Sequence, residues 1–379
     1  MNRIIFPSKK KVNIDFKKNA LYNFLMNEEA KKEFQKRLEK IESVLNRYLP
    51  KTEDIQNGAW KKNSFGELDV CVTQDHIRNL TDPTRNLLSL GGKRWRPLLL
   101  VLCSELAGKR KIDPYEITPL VEFAHTASLI HDDIEDAADT RRGKPAAHIT
   151  YGLDTALNAG SWLYFQGATC IKGLATDNGT KITFYELFLE ELRRLHLGQA
   201  MDILWHRNPK MIPTKEEYTA MVRNKTGTLA RLAVKAGILA GGATREEADK
   251  AGRIAEDIGT GFQIIDDVIN LTTGNPGKKR GDDIVEGKKS LPVLLHLEKK
   301  PDDGEKLAEL FEKARREGIE SDAVEEAIEI LGKSGAIDEA KSIGNKLIEE
   351  KSNELASLFG NADSKESALI LELFAALKK

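Results

Sequence analysis

The sequence predicts an all-α protein. Three observations carry this. Apolar residues recur at three- and four-residue spacing through most of the chain, alternating β-branched runs bounded by turn pairs are missing, and several segments open on helix-capping signatures. The 379 residues are 40% hydrophobic and 31% charged. That is ample material for a core, too much for a disordered chain, and within reach of one large helical domain.

The elements follow in order. Residues 1–29 are polar, lysine-rich and weakly periodic, and helical spacing begins at 30–49. Residues 50–66 read as a loop. We therefore divide the chain into an N-terminal extension with one helix, 1–66, and a main domain, 67–379. Helical periodicity in the main domain covers 96–107, 117–136, 184–205, 217–240, 245–271, 305–313, 322–331 and 336–358. Pro213 and Thr214 precede one run, with Glu217 in the capping-box position; Gly241 and Gly242 close it, and Thr244 with Glu247 opens the next. "TTGNPGKKRGDD", 272–283, is a loop by its Gly and Pro content. Beyond Lys300 the helices are charged on one face and aliphatic on the other.

Composition narrows the function. The net charge is -1 and no basic–aromatic stripe appears, so no nucleic-acid partner is expected. Cys71, Cys103 and Cys170 are scattered and odd in number, which fits a reducing cytoplasm and neither a disulfide framework nor a thiolate metal site. "MNRIIFPSKKKVNIDF" lacks the apolar run of a signal peptide. No stretch approaches the roughly 20 apolar residues of a membrane span, so no integral membrane segment is expected.

Chemistry concentrates in "LIHDDIEDAADTRRGKP", residues 129–145. Asp132 and Asp136, one helical turn apart, share a face, and Asp133 lies beside them. Phe123, Ala127, Leu129 and Ile130 precede them, so the acids continue an apolar segment. A charge run at an exposed helix end is the alternative. A second Asp pair, Asp266 and Asp267 in "GFQIIDDVINL", again ends an apolar helix. Two such turns facing each other repel unless cations intervene. Magnesium suits that role, because it takes oxygen ligands from one or two carboxylates and completes its shell with phosphate oxygens. The basic groups match: Lys93, Arg94 and Arg96 in "GGKRWRP", Arg141 and Arg142, Lys225 beside Thr226, and Lys278, Lys279 and Lys288. Carboxylates for Mg²⁺ and cations for phosphate oxygens describe a site for one diphosphate or two.

The motifs "GGKRWRP", "HDDIEDAADTRRGKPAAH", "GQAMDILW", "RNKTGTLA", "FQIIDD" and "GDDIVEGKKSLP" occur in an order that resembles the trans-isoprenyl diphosphate synthases of the polyprenyl synthetase family. The wording is most similar to the eukaryotic-type geranylgeranyl diphosphate synthases. The resemblance spans about Asn79 to about Leu297. It implies an isoprenoid-synthase helical bundle around a deep central cavity, usually a homodimer, that elongates an allylic diphosphate with isopentenyl diphosphate. It implies that Asp132, Asp136 and Asp266 hold Mg²⁺, supported by Asp133 and Asp267, with Asp283 acting through water. Arg141, Lys225 and Lys278 would touch the allylic diphosphate. Lys93, Arg96, His125 and Arg142 would hold isopentenyl diphosphate, and Thr226 and Gln263 would line the reacting end. One departure stands out: Asn270 replaces the third Asp of the second motif. Its amide carbonyl can still accept a bond from metal-bound water.

Product length rests on Ala127 and Ser128, both small, where the resemblance implies that a bulky aromatic would act as a floor; the alternative is that small residues here only let two helices pack closely. Trp162, Tyr164 and Phe165 offer a floor from another segment, and His131 either tunes the acids or fills space. The expected product is geranylgeranyl diphosphate or longer. A terpene synthase on the same fold and a non-catalytic partner subunit are the rival readings. The first needs no second diphosphate site, and the second typically loses an acidic motif.

Overall fold

The computed structural model describes residues 27–55, 58–109, 111–274, 279–360 and 363–377. Lys278, expected to touch a diphosphate, and residues 1–26 of the expected extension lie outside the described residues. Helix α1, Glu28–Tyr48, starts where the Asn27 side chain accepts the Ala30 N–H. It lays Phe34, Leu38, Ile41 and Leu45 into the same core as the helices that follow. After it come α2 (Gly58–Phe65), α3 (Gln74–Ser89), α4 (Trp95–Ala107) and α5 (Thr118–Glu135). A two-residue hairpin, β1 (Thr140–Arg141) and β2 (Lys144–Pro145), leads to α6 (Ala147–Tyr151) and α7 (Leu153–Lys172). Then α8 (Asn178–His206), α9 (Lys215–Val222), a π turn over Arg223–Gly227, α10 (Thr228–Ala240) and α11 (Arg245–Thr272) follow. The chain closes with α12 (Asp282–Glu286), α13 (Leu291–Lys299), α14 (Gly304–Glu317), α15 (Asp322–Lys333), α16 (Ala336–Ala356) and α17 (Lys365–Leu377).

Helix α4 is the central post. Leu98 to Cys103 are all fully buried, so its apolar surface runs all round, the mark of a helix with neighbours on every side. Helix α10 packs on α4 and on α11, α5 packs on α7, and α11 packs on α16. A second core gathers α13, α14 and α15 around Leu294, Phe311 and Leu331. The all-α expectation holds: the only strands among the described residues are the two of the hairpin. None of the described helices is long and apolar enough to cross a membrane.

Several helices escape the periodicity. Helix α2 lies in the stretch read as a loop. Its one buried side chain is Trp60, so it shows no repeating stripe. Helix α3 runs through Pro83 and buries Thr81 and Thr84, whose hydroxyls donate to Ile77 O and Thr81 O. Helix α7 packs through Ala156, Ala159, Gly160 and Gly167, residues too small to register as an apolar stripe. The 217–240 stretch is continuous in pattern but is broken at the π turn.

Candidate active site

Helix α5 delivers the first acids. Its end is closed by Asp136 N–H to Asp132 O and Ala138 N–H to Asp133 O, both 2.8 Å. That turn requires Ala137 at φ 52°, a left-handed conformation that disfavours a Cβ. The three non-glycine residues with positive φ among the described residues are Arg94, Ala137 and Arg142. All three flank the predicted acidic and basic motifs, where backbone strain is characteristic of functional sites. Arg142 and Gly143 are the two positive-φ residues of the hairpin turn. That turn folds Arg141 back toward the acids, its Nε donating to Asp133 Oδ1 at 2.8 Å, while Arg142 Nη1 donates to Gly91 O.

The second acids come from α11. Asp266 is exposed and Asp267 buried. Both oxygens of Asp267 are held by protein donors. Tyr218 Oη donates to Oδ2 at 2.6 Å, and Gln263 Nε2 donates to Oδ1 at 2.9 Å. Thr226 Oγ1 in turn donates to Gln263 Oε1 at 2.7 Å. Burial and the nearby Asp283 charge push the Asp267 carboxyl up to about 7. Asn270 is tied into the backbone beyond the helix: its Oδ1 accepts the Asp283 N–H at 3.2 Å, and its main-chain oxygen accepts the Gly281 N–H at 2.9 Å. The amide expected to meet metal-bound water instead anchors the start of α12.

Two lysines pair with acids around the end of α5. Lys225 Nζ donates to Asp202 Oδ2 at 2.6 Å. Burial disfavours its charge, but Asp202, Asp132 and Asp136 raise its pKa above the ordinary lysine value. Lys288 Nζ lies 3.5 Å from Asp136 Oδ2 and 3.5 Å from Asp283 Oδ1, and pairs with Glu286. Lys288 thereby links the end of α5 to the Asp283 turn, and Lys225 links the π turn to α8. Asp202 and Tyr218 carried no assigned role in the sequence. Asp202 sits in "GQAMDILW", and its only signal was a carboxylate on the same face as Gln199, whose Nε2 donates to Glu135.

The π turn places Lys225 and Thr226. One extra residue in the turn rotates both toward the acids while bringing the backbone hard against α8 at Gly198. A Cβ there would lie 2.7 Å from Asn224 C and 2.7 Å from Lys225 Cα, so only hydrogen fits.

The basic pocket is separate. Arg96 Nη1 and His125 Nε2 are 3.5 Å apart, and the Arg96 guanidinium lies 4.5 Å from the centre of the Trp95 ring. Arg96 Nε is buried and has no hydrogen-bond partner among the described residues. Burial lowers Arg96 to about 10 and, with Arg94 alongside, lowers Arg142 to about 10. Burial and the surrounding Arg96, Arg142, Arg94 and Arg141 keep His125 neutral. Cations crowded around a neutral imidazole are the signature of a place that receives an anion. Arg94 does not belong to this set. Its Nε and Nη1 donate to Glu42 and Glu122, each at 2.7 Å, so it is a buried structural ion pair. Lys93, expected in this set, is exposed.

Among the described residues, no three His, Cys, Asp or Glu side chains gather into a metal-ligating cluster. The donors present still fit magnesium: they are hard carboxylate oxygens. Burial raises the pKa of Asp133 and Glu135 as well as Asp267, so added positive charge would be favoured here. A groove of about 530 Å³ lined by Lys40, Glu105 and Tyr115 shares no residue with this site.

Tyr218→Phe removes one hydroxyl and little volume. It is expected to destabilise the fold by about 1.5–3 kcal/mol, the usual cost of taking a donor from a buried charged acceptor. Urea denaturation of the two proteins measures this.

The all-helical frame and its similarity to known proteins make this chain a trans-prenyltransferase. The chain belongs to the polyprenyl synthetase family, whose model matches residues 77–331. It is similar to a geranylgeranyl diphosphate synthase of Methanosarcina mazei, 32% identical over 320 residues, covering 82% of this chain and 94% of that one. It is also similar to a short chain isoprenyl diphosphate synthase of Methanocaldococcus jannaschii, 36% identical over 270 residues, covering 70% and 79%. Among solved structures it matches a geranylgeranyl pyrophosphate synthetase from Pyrococcus horikoshii with a TM-score of 0.75 at 28% identity, covering 93% and 98% of the two chains.

Proposed function

We propose that the protein condenses isopentenyl diphosphate with an allylic diphosphate and releases geranylgeranyl diphosphate. The observation that carries this reading is the coexistence of the arginine pocket with the acidic end of α5 and its buried lysines. Two anion sites call for two diphosphate substrates, which a terpene synthase does not need. Both acidic motifs persist, which argues against a non-catalytic subunit.

Asp132, Asp136 and Asp266 are the residues that would hold Mg²⁺, with Asp133 and Asp267 supporting them. Bound there, the metal supplies Lewis-acid stabilisation of the charge that builds on the departing diphosphate. Lys225, with Arg141, adds preorganised positive charge at the same leaving group, and the charge of Lys278 would add to theirs. Lys93, Arg96, His125 and Arg142 hold the second diphosphate. Neutral His125 acts as a hydrogen-bonding group, while the arginines carry the charge. Holding both substrates in fixed orientation lets the double bond of one meet the allylic carbon of the other. Thr226 and Gln263 line that meeting place. The apolar wall formed by α5 keeps water from the reacting carbon.

Ala127 is fully buried, and Ser128 donates to His125 O at 2.9 Å. Neither narrows the space beneath Asp132. Of the alternative floor residues, Phe165 is 72% exposed and Trp162 stacks on Phe65 at 5.9 Å, so both point away. Tyr164 is buried between His131 and His196, with ring centres 5.6 and 5.3 Å away. His131 therefore fills space beside Tyr164. Ala127→Phe is expected to shorten the product by at least one isoprene unit, read by chromatography of the dephosphorylated lipid; an unchanged product places the floor elsewhere.

A homodimer accounts for an otherwise costly surface. Leu153, Leu157 and Phe165 on α7 and Ile182, Leu189, Leu197 and Leu204 on α8 are exposed. Their spacings of four, and of seven to eight, put each set on one helix face. A cytoplasmic setting agrees with three free cysteines. Incubation with labelled isopentenyl diphosphate, each allylic primer and Mg²⁺, followed by sizing of the lipid, tests the whole proposal. No lipid product from any primer would sink it.

A further inference from the structure

Lys288 stands between the acidic end of α5 and the short helix α12. Its ammonium bridges Asp136, at the end of α5, and Asp283, in the turn anchored to α11, at 3.5 Å each. Glu286 is its third partner. Burial works against its charge, yet these acids and Asp202 hold its pKa well above the ordinary lysine value.

The backbone that presents it is fixed from several sides. Lys288 N–H donates to Asp283 O at 2.9 Å. Arg315, on α14, donates to Glu286 O at 2.7 Å and also to His206 O. Lys289 Nζ donates to Gly287 O at 3.1 Å and lies 5.1 Å from the centre of the Phe311 ring. Gly287 has φ 82°, and a Cβ on it would run into Arg315. The ammonium is therefore delivered on a rigid turn.

We propose that Lys288 is a tethered counterion that holds the place between Asp136 and Asp283 in the free enzyme and makes entry of the divalent metal conditional on a diphosphate. The inference rests on the function proposed above and deepens it. Asp136, Asp202, Asp283 and Glu286 already have two resident ammoniums, Lys225 and Lys288. A metal ion arriving alone must displace Lys288, which its own chain keeps only a few ångströms away, where it repels the newcomer. A metal ion arriving with a diphosphate brings negative oxygens that give the displaced ammonium a new partner. Metal affinity then depends on which anion is present, a coupling that works in both directions.

The test is direct binding of Mn²⁺ to the full chain, read by the electron paramagnetic resonance signal of the free ion. It is run with and without a non-ionisable thiolo analogue of dimethylallyl diphosphate, against protein-free blanks. Wild type is expected to bind weakly alone and at least about tenfold more tightly with the analogue. Lys288→Met should tighten binding without the analogue by about tenfold and narrow the gap between the two conditions. Lys288→Arg, which keeps the charge, should stay near wild type. Lys288→Gln gives the same reading as Lys288→Met if the latter does not fold. If Lys288→Met or Lys288→Gln leaves the analogue-free affinity within twofold of wild type, the counterion role is wrong while the site survives. If the analogue does not improve Mn²⁺ binding to wild type at all, the diphosphate–metal site itself is wrong.

Discussion

Asp132→Ala is expected to lower turnover by about a thousandfold while leaving the helical circular-dichroism signal unchanged. The magnitude follows from what preorganised charge at a developing anion is worth, roughly 3–4 kcal/mol for a central group. The fold should tolerate the change. Asp132 is half-buried at the last turn of α5, and alanine is the strongest helix former. Asp132 also helps to keep Lys225 charged, so the variant weakens both the metal side and the lysine side of the leaving-group site. Steady-state kinetics at saturating magnesium makes the measurement. A variant with near-normal turnover would remove Asp132 from the metal-holding set and move the reaction away from this turn.

Gly198→Ala is expected to be as damaging by a different route. The added methyl has nowhere to go, because the atoms it meets are main chain at Asn224 and Lys225, not the movable end of a side chain. Overpacking of this kind costs about 1–3 kcal/mol and sometimes more. Relief requires α8 and the π turn to separate, which draws Lys225 from Asp202 and Thr226 from Gln263. Turnover should therefore fall at least about a hundredfold even where the protein remains folded. Thermal melting and kinetics on the same preparation separate the two effects. Full activity would mean that the π turn does not set the position of Lys225.

Much of this was legible in the chain. The Asp pairs at 132–133 and 266–267 end apolar helices, and one-turn spacing alone put Asp132 and Asp136 on one face. The charge pattern also forecast cations opposite them. What the sequence withheld were features that depend on a third element. Arg94 and Arg96 differ by two positions in one motif. Only the fold shows that Arg94 is consumed by Glu42 and Glu122 while Arg96 turns to His125. Asn270 reads as a weakened acid until its amide is seen holding Asp283. The π turn leaves no mark on hydrophobic spacing, because "RNKTG" interrupts a run that looks continuous on either side. Helix α7 stayed hidden because small residues pack two helices closely without looking apolar.

The ring of Trp95 carries the Arg96 guanidinium on one side and meets Phe262 at 5.3 Å and Phe374 at 6.5 Å on the other; Phe262 and Phe374 are themselves 6.0 Å apart. Phe374 belongs to the last helix. Removing the helix that carries Phe374 would therefore take away part of the packing behind Trp95 and loosen the ring against which the Arg96 guanidinium lies.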